Sequence, residues 1–241
     1  MQQNQPGCYS NLVDAGNRLM KQVKELDIFD ELKLFSSKDL KEDSDFWSKN
    51  GDFISKNNRG YGYWIWKAYV VKKTLEKMQD GDILLYLDAG CEIDIRKKSK
   101  LEEMINDVKM DYIIGSLSKN GTSKGVENKW NKMDLILYLD MNDEKYLNTS
   151  QRQAGVVLYY KNSEVVNLVN EWYNICCNYH MIDNSPSIEK NLDTFIEHRH
   201  DQSIFSLLTK KYNIFSKKSL YDCIEIIKNR TGKSLIKPIV K

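Results

Sequence analysis

The segment "DGDILLYLDAGCEI", Asp80 to Ile93, places a continuously apolar run between two turns and ends it at an aspartate. Such a run, bounded by "DGD" and by Ala-Gly, is typical of a central strand that is covered on both faces of a sheet. In open α/β sheets the carboxyl ends of the strands border the ligand crevice. We therefore expect Asp88, which follows the strand, to lie near a functional site.

Helix and strand patterns alternate along the rest of the chain, which favours an α/β fold. Further strands are predicted at "FDELKLFS", "DYIIGSL" and "AGVVLYY". Helices are predicted at residues 11–26, 44–56, 98–108, 165–179 and in "QSIFSLLTKKY". Another helix is predicted from the apolar stripe Trp64, Ala68, Val71, Leu75 and Met78. The segment "KWNKMDLILYL" is ambiguous, and we favour a helix there.

Composition narrows the class of protein. The chain has 241 residues, 41% hydrophobic and 29% charged, which fits one globular domain over residues 1–241. The net charge of +2 gives no general attraction for nucleic acid, and no apolar run is long enough to span a membrane. Five cysteines without a CxxC pair, together with an amino terminus unlike a signal peptide, predict a cytoplasmic protein with reduced thiols.

The last part of the chain is locally basic. From Lys210 onward, nine lysines and arginines face two acidic residues. We interpret residues 213–241 as a solvated basic tail, with a weak contact to an anionic surface as the alternative.

Asp88 has a possible role in cation binding. A buried carboxylate needs a partner, and Mg²⁺ or Mn²⁺ bound beside diphosphate oxygens is one such partner. The following Ala89 and Gly90 allow a ligand to approach the backbone closely. Glu92 and Asp94 add negative charge nearby. The alternative is an ordinary turn aspartate that caps the next segment.

The segment "NNRGYGYWIWK" carries features expected of an anion site. Gly60 and Gly62 precede a helix, so their free backbone N–H groups are predicted to face an anion. Arg59 and Lys67 offer cations for a diphosphate, and Arg59 is favoured because a lysine on a long helix is usually solvated. Flat faces for a base or sugar are offered by Tyr63, Trp64 and Trp66, although Trp64 also belongs to the apolar stripe.

The segment "IEHRHDQS" contains two of the three histidines. On an extended backbone, His198 and His200 point the same way and so form a candidate metal pair. Asp201 precedes a helix and is either an N-cap or a catalytic base. Glu197 and Asp183 are the alternative bases.

Four segments in order, "RGYGYWIWK", "DGDILLYLDAGCEI", "QAGVVLYY" and "FIEHRHDQSIFSLL", resemble small GT-A-type glycosyltransferases of large DNA viruses and bacteria. The resemblance runs from about residue 11 to 212. It implies a Rossmann-like mixed sheet flanked by helices, with a nucleotide-binding half at about 11–115 and an acceptor half at about 116–212. The implied reaction transfers a sugar with inversion from a nucleoside diphosphate sugar, expected to be UDP-linked, to a hydroxyl of a glycan or glycoprotein.

The resemblance implies a metal-binding Asp-X-Asp-type motif that begins at Asp88. Together with the segments above, it leads us to expect a donor site with Arg59, Gly60, Tyr63, Lys67, Asp88, Ala89 and Gly90. We further expect Asp88 and His200 to hold Mn²⁺ or Mg²⁺, and Asp201 to be the catalytic base. Gly90 stands where the family's Asp-X-Asp motif has its second aspartate, and the family's opening strand has no counterpart in "MQQNQPGCYS".

Two other functions are compatible with the sequence. "LLYLDAG" also resembles the nucleophile strand of haloacid-dehalogenase-type phosphohydrolases, but Gly90 stands where that family needs a second acid. A non-catalytic protein that binds nucleotide sugars is the other alternative. Release of nucleoside diphosphate separates the three functions.

Overall fold

The architecture comes from a computed structural model that describes residues 7–118, 123–225 and 229–236. The strands are β1 (Ile83–Leu87), β2 (Glu92–Ile93), β3 (Ile113–Gly115), β4 (Val156–Tyr160), β5 (Phe215–Ser219) and β6 (Ile224–Glu225). The helices are α1 (Gly7–Leu26), α2 (Ser37–Glu42), α3 (Ser44–Lys56), α4 (Gly60–Tyr63), α5 (Ile65–Lys77), α6 (Lys98–Asp111), α7 (Met133–Tyr138), α8 (Glu144–Leu147), α9 (Ser163–Cys176) and α10 (Asp201–Tyr212).

A four-stranded mixed sheet organises the fold. Its order is β1-β4-β3-β5, while β2 and β6 form a separate antiparallel pair. β4 runs antiparallel to β1 and to β3, whereas β3 and β5 are parallel. This sheet with its flanking helices confirms the predicted α/β class and is compatible with a Rossmann-like arrangement.

β1 differs from the predicted central strand because it lies at the edge of the sheet. Both of its faces are nevertheless covered, as predicted. Leu84 and Tyr86 pack against the larger hydrophobic core, whereas Ile83, Leu85 and Leu87 pack against the smaller one. Alternate side chains enter different cores, so the run needs apolar residues at every position even at the edge.

The larger core lies between the sheet and the helices α5, α9 and α10. Ala68, Val71 and Leu75 of the predicted stripe are buried on α5, and α9 contributes the fully buried Trp172. Trp64 is only half-buried and precedes α5 in a left-handed conformation, with φ of 63°. The predicted stripe is thus confirmed from Ala68 to Leu75.

Two local predictions need correction. Residues 29–36, predicted as a strand, form no strand, because Phe29 and Phe35 pack against different cores and Ser36 begins a capping box for α2. The ambiguous segment at 129–139 is helical only over α7, which confirms the favoured interpretation in part. The expected absence of an opening strand concerns residues 1–10, of which 1–6 lie outside the described residues.

The segment interpreted as a solvated basic tail contributes to the fold over its described part. β5 extends the main sheet, and β6 pairs with β2. Leu220, Cys223 and Ile224 are fully buried, because apolar residues between the lysines face the smaller core. Within the described ranges, no helix has the length and apolar content needed to cross a membrane.

Glu92 anchors the described carboxyl-terminal segment, residues 229–236. Its buried carboxylate accepts hydrogen bonds from Asn229 Nδ2 at 2.5 Å, from the Leu235 N–H at 3.0 Å and from the Ser234 hydroxyl. Burial alone raises the pKa of Glu92, but the bonds from Ser234, Asn229 and Leu235 outweigh burial and lower it to about 2. Glu92 therefore has a structural role.

We expect the Glu92→Gln substitution to lower the free energy of unfolding at neutral pH, because glutamine holds residues 229–236 less tightly. The lowered pKa of Glu92 stabilises the fold above the unfolded value of 4.5, and this contribution is lost as the pH falls from 4.5 towards 2. The difference between the folded and unfolded pKa values of Glu92 corresponds to about 3 kcal/mol of unfolding free energy. Urea unfolding of the wild type and the variant between neutral and acidic pH measures it. Glu25→Gln, at an exposed position on α1, is the control. Equal stabilities of wild type and Glu92→Gln at neutral pH would contradict the prediction.

Candidate functional site

Three charged side chains from distant parts of the chain meet beside the end of β1. Lys67 lies in the first turn of α5, Asp88 follows β1, and Asp201 is the first residue of α10. Lys67 Nζ lies 3.3 Å from Asp88 Oδ1, 3.3 Å from Asp88 Oδ2 and 3.4 Å from Asp201 Oδ2. The side chains of Lys67 and Asp201 are buried, whereas that of Asp88 is 44% exposed. We call these three residues the Lys67 cluster. Asp88 is the member of the cluster that faces solvent.

Lys67 was expected to be solvated, and the structure contradicts this expectation. Lys67 lies three residues after the left-handed Trp64, and its Nζ contacts Asp88 directly after the edge strand β1. Burial alone lowers the pKa of Lys67, but the carboxylates of Asp201 and Asp88 outweigh burial and raise it above its ordinary value. Lys67 is therefore a permanent cation at neutral pH.

Asp201 is not the helix cap considered from the sequence, because His200 occupies the N-cap position without a capping side-chain bond. Burial raises the pKa of Asp201 from 3.8 to about 6, against the lowering effect of Lys67. A hydrogen bond from the Gln202 backbone N–H also lowers this pKa, but burial outweighs it. Asp201 Oδ2 is buried and lies 3.4 Å from Lys67 Nζ. Its ion pair with Lys67 is therefore its main stabilising contact.

Tyr86 and Gly155 fix the position of Asp88, and sequence reasoning missed both. The Tyr86 hydroxyl donates to Asp88 Oδ1 at 3.0 Å, and the Asp88 N–H donates to the Gly155 carbonyl at 2.8 Å. A Cβ atom on Gly155 would lie 2.3 Å from Asp88 Oδ2. Gly155 directly precedes the "VVLYY" strand, but its contact with Asp88 could be inferred only from the β1–β4 register.

We expect the Gly155→Ala substitution to displace the Asp88 carboxylate from Lys67 while leaving the fold intact. The clashing atom ends a short side chain that is free to rotate, so the cost in unfolding free energy should be at most about 1–3 kcal/mol. Urea unfolding measures this cost. The double variant Asp88→Ala/Gly155→Ala is the control, because it removes the clashing carboxylate. If adding Asp88→Ala recovers none of the lost stability, the proposed contact is wrong.

Hydrogen bonds to its backbone carbonyls hold the turn from Asp88 to Cys91 in place. Arg18 Nη2 donates to the carbonyls of Ala89 at 3.1 Å and Cys91 at 2.8 Å, and the Asn229 N–H donates to the Gly90 carbonyl at 2.9 Å. Among the described residues, none accepts a hydrogen bond from the N–H of Ala89 or Gly90. These two amides are therefore free to bind an anionic ligand beside Asp88.

Of the two glycines predicted to face an anion in "NNRGYG", Gly62 does not, because its N–H is already engaged. The Gly62 N–H donates to the Asn57 carbonyl at 2.8 Å, and the Trp64 N–H donates to the Gly60 carbonyl at 3.1 Å. Gly60 has a φ of 58°, and a Cβ there would lie 2.4 Å from the Trp64 ring. Gly60 therefore allows a tight backbone turn before α5.

Arg59 is exposed and forms an ion pair with Glu197. Both residues line a cavity of about 270 Å³. Its other lining residues are Lys132, Asn184, Ser185, Pro186, Ser187, Asn191, Phe195 and His198. Lys132 holds one wall, since its Nζ donates to the His180 carbonyl and to Asp183 Oδ1, both at 2.9 Å. The cavity thus combines polar side chains with a mostly apolar exposed surface.

The two histidines of "EHRHD" do not form a metal-binding pair. His198 accepts from the Lys132 N–H at 3.2 Å and donates through Nε2 to the Met181 carbonyl at 2.9 Å, so both ring nitrogens are engaged. His200 donates through Nδ1 to the Ile182 carbonyl at 2.7 Å, and its ring stacks on Tyr63. Burial lowers the pKa of His200 to about 4, so the ring is neutral at neutral pH.

The predicted divalent metal does not fit the side chains near Asp88. Glu92 binds the carboxyl-terminal segment, and Asp94 is paired with Arg96. Among the described residues, no three His, Cys, Asp or Glu side chains are grouped as a metal site. A divalent ion at Asp88 would have to displace the Lys67 ammonium, which lies 3.3 Å from both Asp88 oxygens, and the Tyr86 hydroxyl, which donates to Oδ1. Asp88 is therefore an unfavourable metal ligand, whereas the expected role of His200, whose Nε2 is buried without a hydrogen-bond partner among the described residues, stays a prediction.

No protein-family model matches the chain, and no curated protein or solved structure matches it significantly.

Proposed function

We propose that the protein transfers a sugar from a nucleoside diphosphate sugar to an acceptor hydroxyl, within a GT-A-type fold. The observation that supports the proposal is the buried carboxylate of Asp201, whose pKa burial raises to about 6 and which lies 3.4 Å from Lys67 Nζ. A base that titrates close to neutral pH is well suited to proton transfer. The ordered set of four sequence motifs supports the same reaction class.

Asp201 would accept the proton of the acceptor hydroxyl as its oxygen bonds to the anomeric carbon of the donor. The bond from that carbon to the diphosphate oxygen breaks, and the electron pair leaves with the diphosphate. Lys67 and the free N–H groups of Ala89 and Gly90 would stabilise the developing negative charge. Asp88 would orient Lys67 through the contacts of both its oxygens.

The cavity beside Arg59 and Glu197 is the proposed place for the acceptor sugar. Asn184, Ser187 and Asn191 offer hydrogen-bonding groups, and the ring of Phe195 offers an apolar face. These residues belong to the half of the chain expected to bind the acceptor. An acceptor that is part of a glycan or glycoprotein would extend from this cavity into solvent.

Arg59 is proposed to bind the donor phosphates from the edge of this cavity. Its ion pair with Glu197 is half-exposed and so only weakly stabilising, which leaves the guanidinium free to turn towards a diphosphate. We expect Arg59→Ala to weaken binding of the nucleoside diphosphate by about 1.5–3 kcal/mol. Calorimetric titration measures this effect, with Lys56→Ala, a nearby exposed lysine, as the control. Unchanged affinity in Arg59→Ala would move the phosphate site elsewhere.

The reaction class is tested with a panel of nucleoside diphosphate sugars and simple glycan acceptors. Sugar transfer predicts release of nucleoside diphosphate from at least one donor, in equal amounts with a glycosylated acceptor. Donor binding without release would favour the nucleotide-sugar binder. Release of inorganic phosphate from a phosphate monoester, without transfer, would favour the phosphohydrolase.

A further inference from the structure

We infer that Lys67 serves as a built-in cation in place of a divalent metal, so that sugar transfer at this site proceeds without Mn²⁺ or Mg²⁺. This inference rests on the proposed function. It identifies the positive charge that would stand in the place of the metal, and it departs from the metal dependence that the sequence resemblance implies.

The contacts of Lys67 leave its ammonium group little freedom. Nζ lies within 3.4 Å of three carboxylate oxygens, two from Asp88 and one from Asp201. The same atom lies 5.9 Å from the centre of the Tyr86 ring, which covers it on another side. Its side chain is 6% exposed. A cation held in this way needs no reorganisation when a ligand binds.

The ammonium also occupies the space in which the two carboxylates would together bind a metal. Asp88 and Asp201 both direct oxygens at Nζ, and removing the ammonium would leave two carboxylates around one vacated position. The turn after Asp88 supplies no replacement ligand, because Gly90 has no side chain and its carbonyl already accepts from Asn229. In the wild type, Lys67 and a divalent ion would therefore compete for the same oxygens.

The inference is tested first by titrating the protein with Mn²⁺ in the absence of donor, with electron paramagnetic resonance reporting the free ion. We expect no stoichiometric site in the wild type at millimolar Mn²⁺. Lys67→Met should create one site, and Lys67→Met/Asp201→Asn should lose it again. Lys67→Arg keeps a cation and should bind no Mn²⁺. Lys72→Met removes a partly exposed lysine of the same helix and is the matched control.

Transfer by the wild type is then measured with and without EDTA. The expected result is the same rate in both. Loss of transfer in EDTA, or an Asp88-dependent Mn²⁺ site in the wild type, would overturn the inference. A Lys67→Met variant that folds but binds no Mn²⁺ would also overturn it. If no donor is turned over with or without metal, the proposed function fails, whereas the Mn²⁺ titration still decides whether Lys67 excludes the metal.

Discussion

Replacing Asp201 with asparagine is expected to slow sugar transfer by ~10² to 10⁴-fold, the usual contribution of a positioned base. Asparagine has nearly the same shape but cannot accept the proton of the acceptor hydroxyl. In the wild type the rate should rise with pH until Asp201, whose pKa is about 6, is ionised. The rate of Asp201→Asn should lack this rise. Rate measurements across pH test the prediction, with the exposed Asp193→Asn as control.

The same substitution should leave the melting temperature within a few degrees of the wild type. Because the folded pKa of Asp201 is raised, its contribution to stability is present below the unfolded value of 3.8 and is lost as the pH rises to about 6. Ionising Asp201 therefore costs the wild type about 3 kcal/mol of unfolding free energy, a cost that asparagine does not have. The substitution also removes one of the two carboxylate partners of Lys67, which lowers stability and offsets that gain. Wild-type transfer rates in a well-folded Asp201→Asn would remove Asp201 from the mechanism.

Replacing Lys67 with methionine is expected to abolish detectable transfer and to destabilise the protein at neutral pH. Methionine fills most of the buried space but leaves Asp201 without its counter-ion. Removing one partner of a buried ion pair typically costs about 3–5 kcal/mol, and hydration of the half-exposed Asp88 places the cost at the lower end. The destabilisation should shrink in mild acid, where Asp201 takes up a proton.

Urea unfolding of Lys67→Met at neutral and mildly acidic pH measures this effect. Lys67→Arg is the control that keeps the positive charge, and it should recover part of the stability and part of the donor affinity. If Lys67→Met were as stable as the wild type at both pH values, the proposed interdependence of Lys67 and Asp201 would be wrong.

The sequence predicted the elements that its local pattern determines. The apolar run before Asp88 specified a strand covered on both faces, and α3 begins and ends at the predicted residues. The position of β1 at the sheet edge was not predictable, because it depends on pairing with β4, about seventy residues later. Gly155 was missed for the same reason, since its role appears only in the β1–β4 register.

Charged residues were harder to assign, because their partners are distant in the chain. Lys67 resembles an exposed helical lysine until α5 is packed against β1 and α10. Glu92 resembles part of an acidic metal site until residues 229–236 supply its hydrogen-bond donors. Arg18, which supports the turn after Asp88, carried no local signal at all.

The most direct test of the proposed reaction is a parallel measurement of nucleoside diphosphate release by the wild type and by Asp201→Asn. Both proteins are given the best donor of the panel and a glycan acceptor in the presence of EDTA. We predict release coupled to acceptor glycosylation by the wild type, and a rate at least ~10²-fold lower for Asp201→Asn. Equal rates for the two proteins, or no release by the wild type from any donor even when Mn²⁺ is supplied, would contradict the account.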